Sequence, residues 1–136
     1  MPRLIQVERP GLLTTVQDLG RVGFQRFGLP VGGAMDRLAL RLANRLIGNP
    51  DDAAGLEITI TGPELTFLRD TVLALTGADL SPRLNDQPLP MWEAVAAPAG
   101  ARLAFGSRRL GARTYLAVAG GLQIPRVLGS RSTHLR

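Results

Sequence analysis

The sequence predicts a mainly β fold with one principal α-helix, in the form of a mostly antiparallel β-barrel or sandwich. Three observations carry that expectation. Short apolar segments rich in β-branched residues recur along the chain, each bounded by glycine, proline or a charged turn. One stretch, residues 37–47, has its apolar residues at helical spacing instead. The chain has 136 residues, 45% of them hydrophobic, with no internal repeat and no low-complexity linker, which suits one domain over residues 1–136.

In chain order, residues 4–7 read as a first strand, stopped by Arg9, Pro10 and Gly11, and residues 12–16 as a second. Residues 19–33 then hold five glycines, Gly20, Gly23, Gly28, Gly32 and Gly33. Val22, Phe24, Phe27, Leu29 and Val31 lie among them, so an ordered and packed loop is expected, and loops of this length usually carry function. Asp36 is a good N-cap for the helix that follows. Leu38, Leu42 and Leu46 form one stripe and Ala39, Ala43 and Ile47 the next, an apolar arc wide enough to predict a largely buried helix. Gly48 suits the position after the helix, and Pro50 prevents its continuation. Arg37, Arg41 and Arg45 line the remaining face, flanked by Asn44. Like charges four residues apart repel by about 0.2–0.5 kcal/mol per pair, so this face is either solvated or matched by carboxylates of the fold or of a partner.

After the helix the period changes. Residues 56–61, 65–68 and 72–76 read as strands, with breaks at Gly62 and Pro63 and at Arg69 and Asp70. Residues 85–88 read as a turn between short strands. Pro98, Ala99 and Gly100 read as a turn with proline in its second position. Residues 102–105 and 114–119 complete the strands, around a turn at Gly111.

Composition excludes several chemistries. The chain has no cysteine, so disulfides, thiolate metal sites and a cysteine nucleophile are ruled out within it. All sixteen basic residues are arginine. A Schiff-base lysine, a Walker A loop and a biotinyl-lysine are therefore impossible on this chain. The single histidine, His134, cannot build a multi-histidine metal site, and any metal would rest on carboxylates. The net charge is +5, but the arginines are spread along the chain and aromatics make up only 4%, which argues against a nucleic-acid partner. No apolar run reaches about 18 residues, and no apolar segment follows the N-terminus in the manner of a signal peptide. No membrane association is expected, and the cytoplasm is the expected compartment.

The densest cluster of polar candidates lies in residues 14–49. Gln17, Asp18 and Arg21 stand at the loop entry. Asp18 either orients Arg21 toward a carboxylate or phosphate, or ties a turn with it. The junction Gly32, Gly33, Ala34, Met35, Asp36 brings backbone N–H groups to a helix N-terminus, which favours an anionic ligand, although Asp36 as a plain N-cap accounts for much of it. Glu57 precedes an apolar run. It is either a partly buried general base or a partner for a helix arginine. Ser130, Ser132 and His134 share one face of an extended chain but do not make a nucleophile–base pair by spacing alone.

The order of these residues resembles a known family. Residues 15–21 (TVQDLGR) look like its opening signature. Gly28-Leu29-Pro30 and Gly33-Ala34-Met35-Asp36 look like its second block, and residues 39–44 with Gly48-Asn49 like its helix. Leu56-Glu57, Thr59, Gly62-Pro63 and Leu65 follow, then residues 115–121 (YLAVAGG) and 125–133 (PRVLGSRST). The family is the carboxyltransferase-domain proteins, which include the C subunit of 5-oxoprolinase, allophanate hydrolase subunit 2 and part of urea amidolyase. The resemblance implies a cyclophilin-like β-barrel whose active site is shared with a B-type carboxyltransferase protein. In the 5-oxoprolinase type, three subunits use ATP to open 5-oxoproline to glutamate, with an A-type protein as the third. In the urea carboxylase type, carboxyl is transferred from biotin held on a separate carrier, in keeping with the absence of lysine here. A third type is non-enzymatic, an antagonist of a sensor-kinase inhibitor. Carried over residue by residue, the family implies catalytic roles for Asp18, Arg21 and Glu57, and contacts to a small amide or lactam substrate from Gln17, Gly33, Met35, Asp36, Asn44, Arg131 and Ser132. Family members continue well past the last block, so the chain corresponds to the N-terminal half of the family domain. An incomplete barrel with exposed strand edges is expected.

Overall fold

The computed structural model describes residues 4–9, 11, 13–17, 36–122 and 134–135. These form β1 (Ile5–Arg9), β2 (Leu13–Gln17), α1 (Arg37–Leu46), β3 (Gly55–Thr59), β4 (Glu64–Phe67) and β5 (Thr71–Asp79). They continue as β6 (Pro82–Leu84), β7 (Gln87–Pro88), β8 (Val95–Ala97), β9 (Arg102–Phe105), β10 (Leu110–Val118) and β11 (His134–Leu135). The glycine-rich stretch at 19–33 lies outside the described residues.

Most strands fall where the alternation places them. The exceptions have local causes. β8 is absent from the sequence reading because alanine has low strand propensity; only its pairing with residues 71–73 of β5 makes Val95–Ala97 a strand. Gly111 is not a turn but lies inside β10, at φ +77°. Leu110 pairs with Asp79 and Thr114 with Gly77, so β10 carries extra residues over this interval and bulges. Pro98 occupies the first position of its turn, not the second. The Ala101 N–H donates to the Pro98 carbonyl at 2.9 Å, and Gly100 takes the positive φ of +87° that a type II turn requires at its third position. Between β6 and β7, Asn85 and Asp86 both have positive φ, the geometry of a two-residue hairpin.

The described strands make two antiparallel sheets, ordered β11-β1-β4-β9-β6-β7 and β2-β3-β10-β5-β8. Mainly β with one helix holds. The sheets are not closed into a barrel, and the exposed edges expected of an incomplete one are present: among the described strands each sheet ends in edge strands that do not pair with its other end. Closure needs the last strand to meet the first, and the first sheet ends on two strands of two residues each. The sheets share one core instead. Ile5, Leu65, Phe67 and Leu103 from the first meet Leu56, Ile58, Leu73, Leu75, Leu116 and Val118 from the second, all with almost no exposed surface.

Helix α1 covers the other face of the second sheet, packing on β5 and β10. Its caps are those the sequence specifies. The Ala39 N–H donates to Asp36 Oδ1 at 3.0 Å, and Gly48, just past the C-cap Ile47, sits at φ +77°. Its buried face differs from the expected one. Ala39, Leu40, Ala43 and Asn44 are buried, whereas Leu38 is 61% and Leu46 38% exposed. The sheet selects the narrower, smaller face because the helix lies close to it. A Cβ added at Gly55 in β3 would come 2.6 Å from the Leu116 carbonyl oxygen and 2.9 Å from Leu40 Cδ1. Glycine at 55 makes room for Leu40, and the large side chains of the leucine stripe turn outward.

Candidate functional site

The face of the second sheet beneath α1 carries an unusual set of polar side chains. Cross-strand register places Thr15 of β2, Glu57 of β3, Tyr115 of β10 and Thr76 of β5 in one row. Glu57, Tyr115 and Thr76 are buried, and so is Gln17 at the end of β2. Burial of a polar side chain costs free energy unless it is hydrogen-bonded, and the row is bonded throughout. The Tyr115 hydroxyl donates to Glu57 Oε2 at 2.7 Å and accepts from the Asp36 N–H at 2.8 Å. Thr76 Oγ1 donates to the Ala39 carbonyl at 2.6 Å. Gln17 Nε2 donates to Thr15 Oγ1 at 3.0 Å. A continuous chain of bonds therefore runs from the start of α1, through the tyrosine hydroxyl, to a buried carboxylate.

The electrostatics follow from this geometry. Burial pushes the Tyr115 phenol above its ordinary range, and the hydrogen bond to the Glu57 carboxylate pushes it further the same way, against the opposing pull of the Asp36 N–H. Tyr115 therefore stays protonated and remains a donor to Glu57. The carboxylate is held in one orientation by a donor that cannot leave, as a positioned base or a fixed negative charge requires.

The structure separates the sequence-derived candidates into groups. Asp36 and Glu57 are brought together through Tyr115, and Gln17 lies at the edge of the same row. Asn44 is fully buried at the back of the helix. Its amide donates to the carbonyls of Ala53 at 2.9 Å and Asp51 at 3.4 Å, and its Oδ1 accepts from Asn49 at 3.2 Å. Asn49 in turn bonds the Val118 carbonyl and the Gly120 N–H. Here Asn44 ties the connection from α1 to β3 onto the end of β10. Asp18, Arg21, Gly33, Met35, Arg131 and Ser132 lie outside the described residues. Two of the helix arginines meet Asp51, which Arg45 grips with two hydrogen bonds of 2.8 Å, with Arg41 Nε 3.7 Å away. Arg45 holds the Asp51 carboxyl below its usual range, chiefly through those bonds.

Sequence reasoning places Tyr115 in a strand but misses its part in the site. The available signal is its uniqueness as the one tyrosine of the chain, on the strand face opposite to Leu116 and Val118. Thr76 gives no signal, since threonine is common in strands.

The start of α1 is a poor phosphate cradle. The Asp36 and Ala39 N–H groups are already bonded, to Tyr115 and to the Asp36 side chain, and the Asp36 carboxylate brings negative charge to the position an anion would need. Among the described residues no three histidine or acidic side chains gather into a metal-holding cluster, and no helix is long and apolar enough to cross a membrane.

Known proteins share this sequence and fold. The family model described as carboxyltransferase domain, subdomain A and B, matches residues 27–136. The chain is 44% identical over 133 residues to the 5-oxoprolinase C subunit of Escherichia coli, covering 98% of this chain and 43% of that protein. It is 43% identical over 133 residues to the urea amidolyase of Lachancea kluyveri, covering 97% of this chain and 7% of that protein. Among solved structures, the K. lactis urea amidolyase superposes with a TM-score of 0.82 at 42% identity, over 96% of this chain and 8% of that one. The chain thus spans less than half the length of each of these relatives. Matched over most of its length by the family model and over nearly all of it by these relatives, the chain belongs to the carboxyltransferase-domain family.

Proposed function

We propose that the chain is part of a C-type component of an ATP-dependent 5-oxoprolinase, which opens 5-oxoproline to glutamate together with A-type and B-type partner proteins in the cytoplasm. The observation that carries this reading is the buried Glu57 carboxylate, tied through Tyr115 to the N-terminus of α1. It stands in a chain 44% identical to a 5-oxoprolinase C subunit. Opening a lactam requires water to add at the carbonyl carbon and a proton to reach the departing nitrogen. A fixed carboxylate serves both steps, taking the proton from water and returning it to nitrogen. Asp18 and Arg21 are assigned to the same reaction centre, with Gln17, Gly33, Met35, Asp36, Asn44, Arg131 and Ser132 as substrate contacts. ATP is assigned to the partner proteins, since the start of α1 does not suit a phosphate. The test mixes purified A-type and B-type proteins, ATP and a full-length C-type protein carrying this chain, and follows glutamate release from 5-oxoproline. Release that depends on all three proteins and on ATP supports the reading, and its absence refutes it.

A second reading has its own observation, the match to urea amidolyase at 43% identity and the superposition on the K. lactis enzyme. In that reading the domain transfers carboxyl to urea or a similar amide from biotin on a separate carrier, the chain itself having no lysine to bear it. Carboxylation of urea in the presence of a biotinylated carrier, without 5-oxoproline turnover, would favour it.

A further inference from the structure

The bulge in β10 shapes an open depression of about 450 Å³, large enough for a small ligand. Its wall brings together Asp36, Gly77, Trp92, Leu110 and Arg113. Three features set it apart from ordinary surface. Trp92 is half exposed and has φ +64°, a conformation that bulky residues rarely adopt and that costs about 1–3 kcal/mol. Its N–H donates to the Leu75 carbonyl at 2.7 Å, which fixes the backbone in that state. Arg113, half buried, makes no ion pair or side-chain hydrogen bond among the described residues. Thr59, its cross-strand neighbour, carries a buried hydroxyl without a hydrogen-bond partner.

We infer that this depression binds the substrate as a cyclic amide bearing a carboxylate, and that Arg113 is the residue that selects for the carboxylate. The inference rests on the 5-oxoprolinase reading above. A small lactam acid presents three recognition elements: a carboxylate, an N–H donor and a compact ring. Arg113 supplies a planar fork for the carboxylate. Asp36 supplies an acceptor for the N–H, and Trp92 a flat apolar surface for the ring. With no carboxylate partner among the described residues, the Arg113 guanidinium is open to an anion from outside. Urea offers no such anion and would leave Arg113 unmatched.

Trp92 is the only tryptophan of the chain, so its emission reports on this site alone. The chain is titrated with 5-oxoproline, with 2-pyrrolidinone, which lacks the carboxylate, and with urea. Saturable change in Trp92 emission is expected with 5-oxoproline, at least roughly tenfold weaker with 2-pyrrolidinone and absent with urea. Arg113→Gln should weaken 5-oxoproline roughly tenfold or more while leaving 2-pyrrolidinone unchanged, and Arg113→Lys should recover part of the loss. Equal responses to 5-oxoproline and 2-pyrrolidinone in the wild-type chain overturn the inference without reference to any variant. So does no response at all. Glutamate release by the reconstituted assembly is scored separately. Turnover with an unchanged KM in Arg113→Gln sinks the pocket but not the function, whereas carboxylate-dependent binding without turnover sinks the function but not the pocket.

Discussion

At the scale of single residues, the structure turns on one hydroxyl. Tyr115 satisfies a buried carboxylate and the first N–H of the helix region at once. Removing it in Tyr115→Phe takes a hydrogen bond from each, and a buried polar group that loses its partner costs about 1–3 kcal/mol. Urea unfolding of Tyr115→Phe should therefore show a lowered midpoint with an unchanged slope. The loss should exceed that of Thr15→Ala, since Thr15 is only partly buried. This is also the scale at which the sequence is least legible. Glu57 and Asp36 can be named as candidates from residue type and position, but 21 residues separate them and neither names the other. Their link is a side chain 58 residues beyond Glu57. Only strand register brings Tyr115 opposite Glu57, and register is a property of pairing that no local stretch encodes. Asn44 shows the same limit. The family resemblance names Asn44 as a substrate contact, and its bonds to Ala53 and Asn49 lie beyond the reach of helical periodicity.

At the scale of elements, the caps and most strand positions are legible because each depends on a few adjacent residues. Asp36 and Gly48 mark the ends of α1 as N-cap and C′ residues should. The buried face of α1 is not legible. Two apolar stripes compete in the sequence, and the choice between them is made by the sheet, which has glycine where Leu40 arrives. Gly55→Val should reverse that fit by driving a branched side chain against the Leu116 carbonyl and Leu40, at a cost of about 1–3 kcal/mol. Thermal unfolding monitored by circular dichroism checks this, and a variant as stable as wild type contradicts the close helix–sheet approach. The helix arginines give a second prediction. Arg45 lowers the Asp51 pKa in the folded state, so the pair's contribution is complete above the unfolded carboxylate pKa of about 4 and is lost as pH falls through the folded value. Lowering the pH from 5 toward 2 should therefore reduce the Tm of wild type more than that of Asp51→Asn, and added salt should shrink the difference because the pair is exposed.

At the scale of the whole molecule, the described residues form two open sheets that share one core, with helix α1 sealing the far side of the second. The strand content and antiparallel pairing follow from alternation and turns, whereas the sheets' failure to close is not legible in any one stretch, because closure depends on which edges meet. The row is built from β2, β3, β5 and β10, while the substrate contacts assigned to the loop and tail lie outside the described residues. In the proposed function Glu57 is the centre of the chemistry, and the most direct test is steady-state glutamate release from 5-oxoproline by the reconstituted three-protein assembly. The comparison is between Glu57 and Glu57→Gln, which keeps an oxygen to accept the Tyr115 hydrogen bond and so preserves the fold. The expected result is a fall in kcat of about 10²-fold or more, with little change in stability. A Glu57→Gln assembly that turns over within about twofold of wild type would contradict a catalytic carboxylate, and would reduce the Glu57–Tyr115–Asp36 chain to a structural clasp.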